Sequence, residues 1–151
     1  MALAEADLRV AGPDDGEVLW EIFRSSRAGA LPGLPEPLLQ MQHRAREAAY
    51  RAAYPDATDD LIVIGDAVVG RVLVSRSQDE HRVIDIAVMQ EHQGRGVGTR
   101  VLRSLAEEAS AAGKPLRLTV ATDNRAARLY RRIGFAIVSS DDANLQLELA
   151  P

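Results

Sequence analysis

The stretch that decides the fold is residues 83–99, VIDIAVMQEHQGRGVGT. An apolar segment of strand length runs directly into Gly94, Gly96 and Gly98, and a helical pattern begins at once. Glycines allow backbone dihedrals that turn consecutive N–H groups into one concavity. The start of a helix adds unpaired N–H donors and about half a positive charge. The stretch therefore predicts a phosphate-binding loop between a strand and a helix.

Two common phosphate-binding loops do not fit these glycines. A Walker loop needs Lys followed by Ser or Thr after its last glycine, but Gly98 is followed by Thr99 and Arg100. A dinucleotide-binding fingerprint needs the spacing G-x-G-x-x-G and an acidic residue at the end of the next strand. The glycines here alternate, and the predicted strand at 116–120 carries no acid. A glycine-rich turn that binds no ligand remains an alternative.

The charge around the loop favours an anionic ligand. The chain has a formal net charge of −4, yet residues 91–132 hold nine basic side chains against four acidic ones. Arg95, Arg100 and Arg103 surround the predicted helix start, where cations are mildly unfavourable unless an anion binds. Solvated helix faces are the other interpretation of this basic segment.

The elements on either side of the loop predict a single α+β (mixed α/β) domain spanning residues 1–151. Gly65 and Asp66 form a two-residue connection that is typical of a β-hairpin. The order of strand, helix and strand around the loop gives one β-α-β crossover in a mostly antiparallel sheet. The predicted strands are 8–10, 61–64, 67–74, 82–89, 116–120, 135–139 and 145–149; the predicted helices are about 14–23, 36–53, 98–112 and, capped by side chains at 122–124, up to 133.

The composition excludes several classes of protein. The 151 residues fit one domain, and the absence of cysteine excludes disulfides and thiolate chemistry. The acidic balance argues against nucleic acid as a partner. Apolar runs such as 61–64 are too short to span a bilayer, and the N-terminal residues lack the apolar core of a signal peptide. We therefore expect a cytoplasmic protein that makes no membrane contact.

Two motifs in the second half of the chain make the prediction more specific. Residues 93–98, QGRGVG, resemble the Q/R-x-x-G-x-G/A loop of the GNAT superfamily of N-acetyltransferases. Residues 124–135, NRAARLYRRIGF, look like that family's N-x-x-A-x-x-L-Y-x-x-x-G-F helix. Both motifs fall in the family's order and on the predicted element types. The resemblance implies a central, mostly antiparallel twisted sheet flanked by about four helices, and acetyl-coenzyme A as cosubstrate with no metal.

The resemblance also implies which residues bind the cosubstrate. In this family the loop amides hold the pyrophosphate, and the backbone of the preceding strand bonds the pantetheine arm. Residues matching the second motif lie beside the thiol. The implied cofactor-binding residues are Gln93, Gly94, Arg95, Gly96, Val97, Gly98 and Thr99 in the loop, Ile86, Ala87 and Val88 in the strand, and Asn124, Ala127 and Tyr130 in the second motif.

Two residues are candidates for catalysis. The resemblance implies that Tyr130 protonates the departing thiolate, whereas its spacing beside Ala126 and Ile133 also fits a core tyrosine. Asp85 is the candidate base for the acceptor ammonium, because aspartate is depleted in strand interiors and its presence there needs a reason. A solvent-facing or salt-bridged aspartate is the alternative. Many relatives carry a glutamate on the next strand where this chain has Thr119, so a water chain is also open as the base.

The acceptor is less specified by the sequence. By analogy it binds near the first two helices, and the second helix offers Gln40, Gln42, His43, Arg44, Arg46 and Tyr50. His43 alone is more often a surface residue than a catalyst. Residues 1–60 carry eleven acids against six bases, which mildly favours a cationic amine, but the arginines and glutamines equally fit a carboxylate. We expect a small-molecule amine or a peptide or protein amine as acceptor, and a monomer or homodimer.

The sequence therefore predicts an acetyl-coenzyme A-dependent N-acetyltransferase that acts by direct attack of a primary amine in a ternary complex. A domain of the same fold that senses acyl-coenzyme A without turnover is the main alternative. A protein-interaction domain, in which both motifs are coincidental, is a third hypothesis.

Overall fold

The computed structural model describes residues 6–27, 33–124 and 126–151. Seven strands form one sheet in the order β1-β2-β3-β4-β5-β7-β6. The strands are β1 Ala6–Val10, β2 Thr58–Ile64, β3 Ala67–Arg76, β4 His81–Val88, β5 Leu116–Ala121, β6 Ala136–Ser140 and β7 Asn144–Leu149; the helices are α1 Gly16–Arg27, α2 Glu36–Ala53, α3 Val97–Ala111 and α4 Ala127–Ile133.

This architecture confirms the predicted α+β class and the mostly antiparallel sheet. Every pairing is antiparallel except that of β4 with β5, which α3 connects. The hairpin at Gly65 and Asp66 forms as expected, with Ile64 opposite Ala67 and a φ of 60° at Gly65. No described helix is both long enough and apolar enough to cross a membrane.

Two helix starts differ from the sequence-based expectation. Residues 13–15 form a 3₁₀ turn before α1, because the Asp15 carboxylate accepts hydrogen bonds from the Gly12 amide and from Arg9. The last helix begins at Ala127, since Asn124 uses its side-chain oxygen to close a turn through the amide of Ala126. The expected capping by the other two polar side chains of residues 122–124 is therefore wrong.

The helices cover both faces of the sheet. On one face α3 and α4 enclose the main core, whose members include Val72, Val74, Val101, Leu105, Leu118, Tyr130, Phe135 and Leu147. On the other face α1 packs on β3 and β4 and also contacts α2, with Ile22 and Phe23 buried. Although α2 has 18 residues, none of them is buried. It therefore lies on the rim of the second face.

A β-bulge in β4 decides which face each of its side chains occupies. Val83 pairs with Val74 and Asp85 pairs with Leu73, so Ile84 is an extra residue between two successive partners. The bulge turns Val83 toward the main core while Asp85 joins the α1 face. Strict alternation would have placed both side chains on the same face.

The pairing of β4 with β5 ends early. It covers only residues 81–83 of β4 against 116–118 of β5. Both strands continue beyond this point, β4 to Val88 and β5 to Ala121. They therefore separate within the sheet, and a gap opens between them.

Candidate active site

A cavity of about 770 Å³ occupies the gap between the separating strands. Residues 83–88 of β4 and 118–121 of β5 form its two sides. Its other walls are side chains of α1 and α2, together with Arg71, Gln93, Asn124, Tyr130 and Asn144. The structure thus brings Asp85, Tyr130 and the predicted pantetheine-binding strand to one cavity.

The backbone of β4 is available along this cavity. No described strand pairs with the β5-facing edge of residues 84–88, while the opposite edge remains paired with β3. Backbone amides and carbonyls on an open edge bind extended ligands as an added strand would. The Gln93 side chain donates to the Val88 carbonyl at 2.8 Å, so the loop is tied to the end of this edge.

The glycine loop begins where β4 ends. Gly94 and Gly96 have φ angles of 76° and 79°, in the left-handed region. Gly98 lies in the first turn of α3, so only two of the three glycines use this freedom. The first turn of α3 carries no acidic residue, and its N-cap residue, Gly96, has no side chain with which to cap it. The amides at such a helix start suit a phosphate.

The predicted cofactor-binding residues fall into two groups. Ile86, Ala87 and Val88 line the cavity together with Gln93, Asn124 and Tyr130. The remaining loop residues, 94–99, continue from the Gln93 end without lining the cavity, and Ala127 does not line it either.

Tyr130 lies at the end of the cavity formed by α4. It is 7% exposed and packs edge-on against Phe135, with ring centroids 6.0 Å apart. No described residue hydrogen-bonds its hydroxyl. Burial raises the pKa of Tyr130, and the negative charge of Asp85 raises it further. The side chain is thus both a core residue and a protonated hydroxyl that faces the cavity.

Asp85 lies on the α1 side of the same gap. Its side chain is 19% exposed, and its two oxygens lie 3.9 Å from Arg46 Nη2 and 3.5 Å from Arg71 Nη1. Burial raises the pKa of Asp85 more than the two guanidinium groups lower it. The carboxylate is therefore salt-bridged, as one sequence interpretation offered, and it also faces the cavity; its role as a base stays a prediction.

Arg71 is a functional-site residue that the sequence analysis missed. Its guanidinium is buried and hydrogen-bonds both oxygens of Glu47 on α2, and it also donates to Asp59 on β2 at 3.0 and 2.6 Å. Burial alone would lower the pKa of Arg71, but these hydrogen bonds outweigh it and raise the pKa. An arginine inside the apolar strand 67–74 was the available signal, because arginine is almost never buried without partners.

The candidates for the acceptor site on α2 differ in whether they line the cavity. Arg46 lines the cavity, whereas Gln40, Gln42 and Arg44 are exposed outside it. His43 is not a surface residue as expected: its ring packs against Trp20 and Phe23, and its buried Nδ1 lacks a hydrogen bond. Burial lowers the pKa of His43, which favours the neutral form.

Thr119 does not replace the missing glutamate as a base. Its hydroxyl donates to Gln146 Oε1 at 2.6 Å and accepts from Arg82.

Among the described residues no group of three His, Cys, Asp or Glu side chains is arranged to hold a metal ion. Asp85, on β4 itself, and Glu47, on α2, are the described carboxylates that line the cavity.

Residues 17–135 match the model of the Acetyltransferase (GNAT) family. The match covers well over half of the chain and includes both sequence motifs. The chain therefore belongs to the GNAT acetyltransferase family. No curated protein sequence matches it significantly.

Solved structures show the same fold at low sequence identity. An acetyltransferase from Thermus thermophilus is 22% identical, with a TM-score of 0.78 and coverage of 100% of both chains. A PaiA N-acetyltransferase from Thermoplasma acidophilum, solved with coenzyme A, is 16% identical with a TM-score of 0.77, covering 97% of this chain and 99% of that one. A GCN5-related N-acetyltransferase from Rhodopseudomonas palustris is 21% identical with a TM-score of 0.71, covering 100% and 99%.

Proposed function

We propose that this protein transfers an acetyl group from acetyl-coenzyme A to a primary amine by direct attack within a ternary complex. One observation carries the proposal: Asp85 and Tyr130 line the same cavity, on either side of the open edge of β4. A base for the amine and an acid for the thiolate are thus available along the strand that would hold the thioester. Family membership supports acetyl transfer, and the coenzyme A complex of the Thermoplasma relative supports the cosubstrate.

The residues present fit acetyl-coenzyme A. Gly94 and Gly96 shape a loop in front of α3, where the N-cap residue Gly96 offers no capping side chain; this loop would hold the pyrophosphate. The open edge at residues 84–88 would hydrogen-bond the pantetheine amides. The thioester would then lie in the gap that both Asp85 and Tyr130 line. Asn124 is exposed and lines the same cavity.

The proton transfers follow from the two side chains. Asp85 takes a proton from the acceptor ammonium, which frees the nitrogen lone pair. The C–N bond forms at the thioester carbonyl, and the C–S bond breaks as the tetrahedral intermediate collapses. Tyr130 gives its proton to the departing thiolate and regains one through solvent from the new amide nitrogen. One proton is released to solvent in each turnover.

The raised pKa values suit these roles. A carboxylate whose pKa lies above its ordinary value is a stronger base once ionised. A phenol with an ordinary pKa of about 10 is protonated at neutral pH, and its raised pKa keeps it so. A thiolate forming beside Tyr130 therefore meets a hydroxyl that has no competing hydrogen bond from a described residue.

The test is release of free thiol from acetyl-coenzyme A in the presence of pooled amines. We expect amine-dependent thiol release together with a product that is one acetyl group heavier. Coenzyme A binding measured by calorimetry provides the control for a folded cosubstrate site. Tight coenzyme A binding with no thiol release for any amine would reject catalysis and favour a sensor of acyl-coenzyme A.

A further inference from the structure

The part of the cavity wall formed by α1, α2, β3 and β4 carries both signs of charge. Among the described residues that line it, Arg27, Arg46 and Arg71 are cations, and Glu47 and Asp85 are anions. The sequence-based argument from the acidic first sixty residues mildly favoured a cationic acceptor. The side chains that reach the cavity are not acidic on balance, so that argument does not apply to the wall itself.

Some of these side chains already have partners within the protein, although Arg27 keeps its positive charge. Arg71 is committed to Glu47 and Asp59 through four hydrogen bonds. Arg27 lies over the ring of Phe23, 5.5 Å from its centroid. Asp85 lies 3.5 Å from Arg71 Nη1 but forms no hydrogen bond with it. The oppositely charged groups that keep hydrogen-bonding capacity for a ligand are therefore Asp85 and Arg46.

Asp85 and Arg46 do not hydrogen-bond each other. Arg46 Nη2 lies 3.9 Å from Asp85 Oδ1, beyond hydrogen-bond distance. Arg46 donates through Nε to the Tyr50 hydroxyl at 2.6 Å, which fixes the orientation of its guanidinium fork. Its side chain is 37% exposed. No described residue hydrogen-bonds the Asp85 carboxylate, so both groups retain unused hydrogen-bonding capacity toward the cavity.

We propose that the acceptor is an α-amino carboxylate, with its ammonium on Asp85 and its carboxylate on the guanidinium fork of Arg46. The inference rests on the proposed acetyl transfer and names the substrate class for it. A neighbouring anion and cation are the electrostatic complement of a zwitterion in which one carbon joins the two charged groups. The planar guanidinium matches a carboxylate with two parallel hydrogen bonds. The same contact on Asp85 places the reactive nitrogen on the base.

Other amine classes fit this wall less well. A polyamine would bring a second ammonium toward Arg46 and Arg27, and like charges in a confined site repel. A simple alkylamine would satisfy Asp85 but leave Arg46 without its ligand. A peptide N-terminus has an amide in place of the adjacent carboxylate and loses the charge-assisted bonds. Specificity thus depends on Arg46.

The experiment compares matched acceptors. A pool of L-α-amino acids, the pool of the corresponding carboxamides, and spermidine are each supplied with acetyl-coenzyme A, and kcat/KM is measured by thiol release. Binding of each pool to the coenzyme A-saturated protein is measured in parallel by calorimetry. We expect the amino acids to exceed the carboxamides at least about tenfold in kcat/KM, since the lost bonds are charge-assisted.

Substitutions in α2 test whether Arg46 causes the preference for amino acids over carboxamides. Arg46→Gln should reduce the ratio of kcat/KM for amino acids to kcat/KM for carboxamides to about one, while coenzyme A affinity stays unchanged. Arg46→Lys should keep part of the ratio, because it keeps the charge and loses the fork. Arg44→Gln removes the same charge from the same helix, but Arg44 is exposed and does not line the cavity, so the ratio should stay as in wild type.

The outcomes separate the two proposals. Amino acids that bind in an Arg46-dependent manner without any thiol release would support the zwitterion site and overturn acetyl transfer. Carboxamides or spermidine acetylated as well as amino acids would support the transferase and overturn the zwitterion site. An unchanged ratio in Arg46→Gln, or neither binding nor acetylation of amino acids, would also overturn it.

Discussion

Arg71 Nη1 lies 3.5 Å from Asp85 Oδ2, and the two residues stand on the same face of neighbouring strands. The same guanidinium bonds Glu47 on α2 and Asp59 on β2. One buried cation therefore joins three carboxylates from three different elements. It attaches α2, which buries none of its own residues, to the strand that carries the candidate base.

Removing this cation should destabilise the fold. In Arg71→Met the three carboxylates lose their shared partner, and breaking a buried ion pair from one side costs about 3 kcal/mol or more. We expect a lower urea midpoint, and Arg71→Lys should recover only part of the loss because it lacks the planar fork. Arg51→Met on the exposed side of α2 is the control. Equal midpoints for wild type and Arg71→Met would show that the cluster contributes nothing to stability.

Asp85→Asn should raise stability at neutral pH. Burial holds the pKa of Asp85 in the folded protein above its unfolded value of about 3.9. The folded state therefore binds this proton more tightly, so the contribution of Asp85 to stability is complete below the unfolded pKa and is lost as pH rises through the folded pKa. We expect a higher melting temperature for Asp85→Asn near pH 7 and equal values in acid. A lower melting temperature of the variant at pH 7 would show that attraction to Arg71 and Arg46 dominates instead.

The same substitution should change the pH dependence of turnover. A base must be ionised, and the raised pKa of Asp85 places the acidic limb of kcat/KM at a higher pH than for an ordinary aspartate. Asp85→Asn should slow turnover by ~10²–10⁴-fold and flatten that limb. Profiles for wild type and variant with the best acceptor provide the measurement. A limb that persists in the variant would assign the proton to water or to another group.

Gly96→Asp should abolish coenzyme A binding without unfolding the protein. Aspartate in front of a helix accepts hydrogen bonds from the first-turn amides, which are the donors that we assign to the pyrophosphate, and it adds a repelling charge. The control is Gly113→Asp at the other end of α3, because Gly113 also has a positive φ, 69° against 79° at Gly96. Calorimetry should show wild-type coenzyme A affinity for Gly113→Asp and no coenzyme A binding for Gly96→Asp. Unchanged affinity in a folded Gly96→Asp protein would remove the phosphate assignment from this loop.

The parts of the site that are local in sequence were predictable. The loop at residues 93–98 and the helix carrying Tyr130 are each specified by consecutive residues whose spacing sets their conformation. The antiparallel sheet followed from hairpin turns such as Gly65-Asp66. The boundaries shifted where a side chain bonds a nearby amide, as Asp15 and Asn124 do.

The parts that depend on register were not predictable. The bulge at Ile84 adds one residue to β4 and so separates Val83 from the face of Asp85. The arginine cluster joins residues that are 24 and 12 positions apart in the chain, and only the pairing of β2, β3 and β4 brings them together. The charge of the first sixty residues likewise did not reveal which side chains reach the cavity.

Tyr130→Phe decides between an enzyme and a sensor. The hydroxyl acts only as the thiolate departs, so its loss should lower kcat and leave coenzyme A affinity nearly intact. General acid catalysis contributes ~10²–10⁴-fold, and we expect at least about a tenfold loss even if water partly substitutes. Phenylalanine keeps the ring that packs on Phe135, so the melting temperature should hold. Since no described residue hydrogen-bonds the hydroxyl, its removal breaks no internal bond there.

The matched control is Tyr54→Phe, which makes the same chemical change at a tyrosine just beyond the end of α2 and outside the cavity. Turnover with the best amine and calorimetric coenzyme A affinity are measured for wild type and both variants. Loss of kcat in Tyr130→Phe alone, at constant affinity, assigns the proton of the leaving thiol to Tyr130. Equal turnover in all three proteins would make Tyr130 a core residue only, because the ring alone would then account for its place beside Phe135.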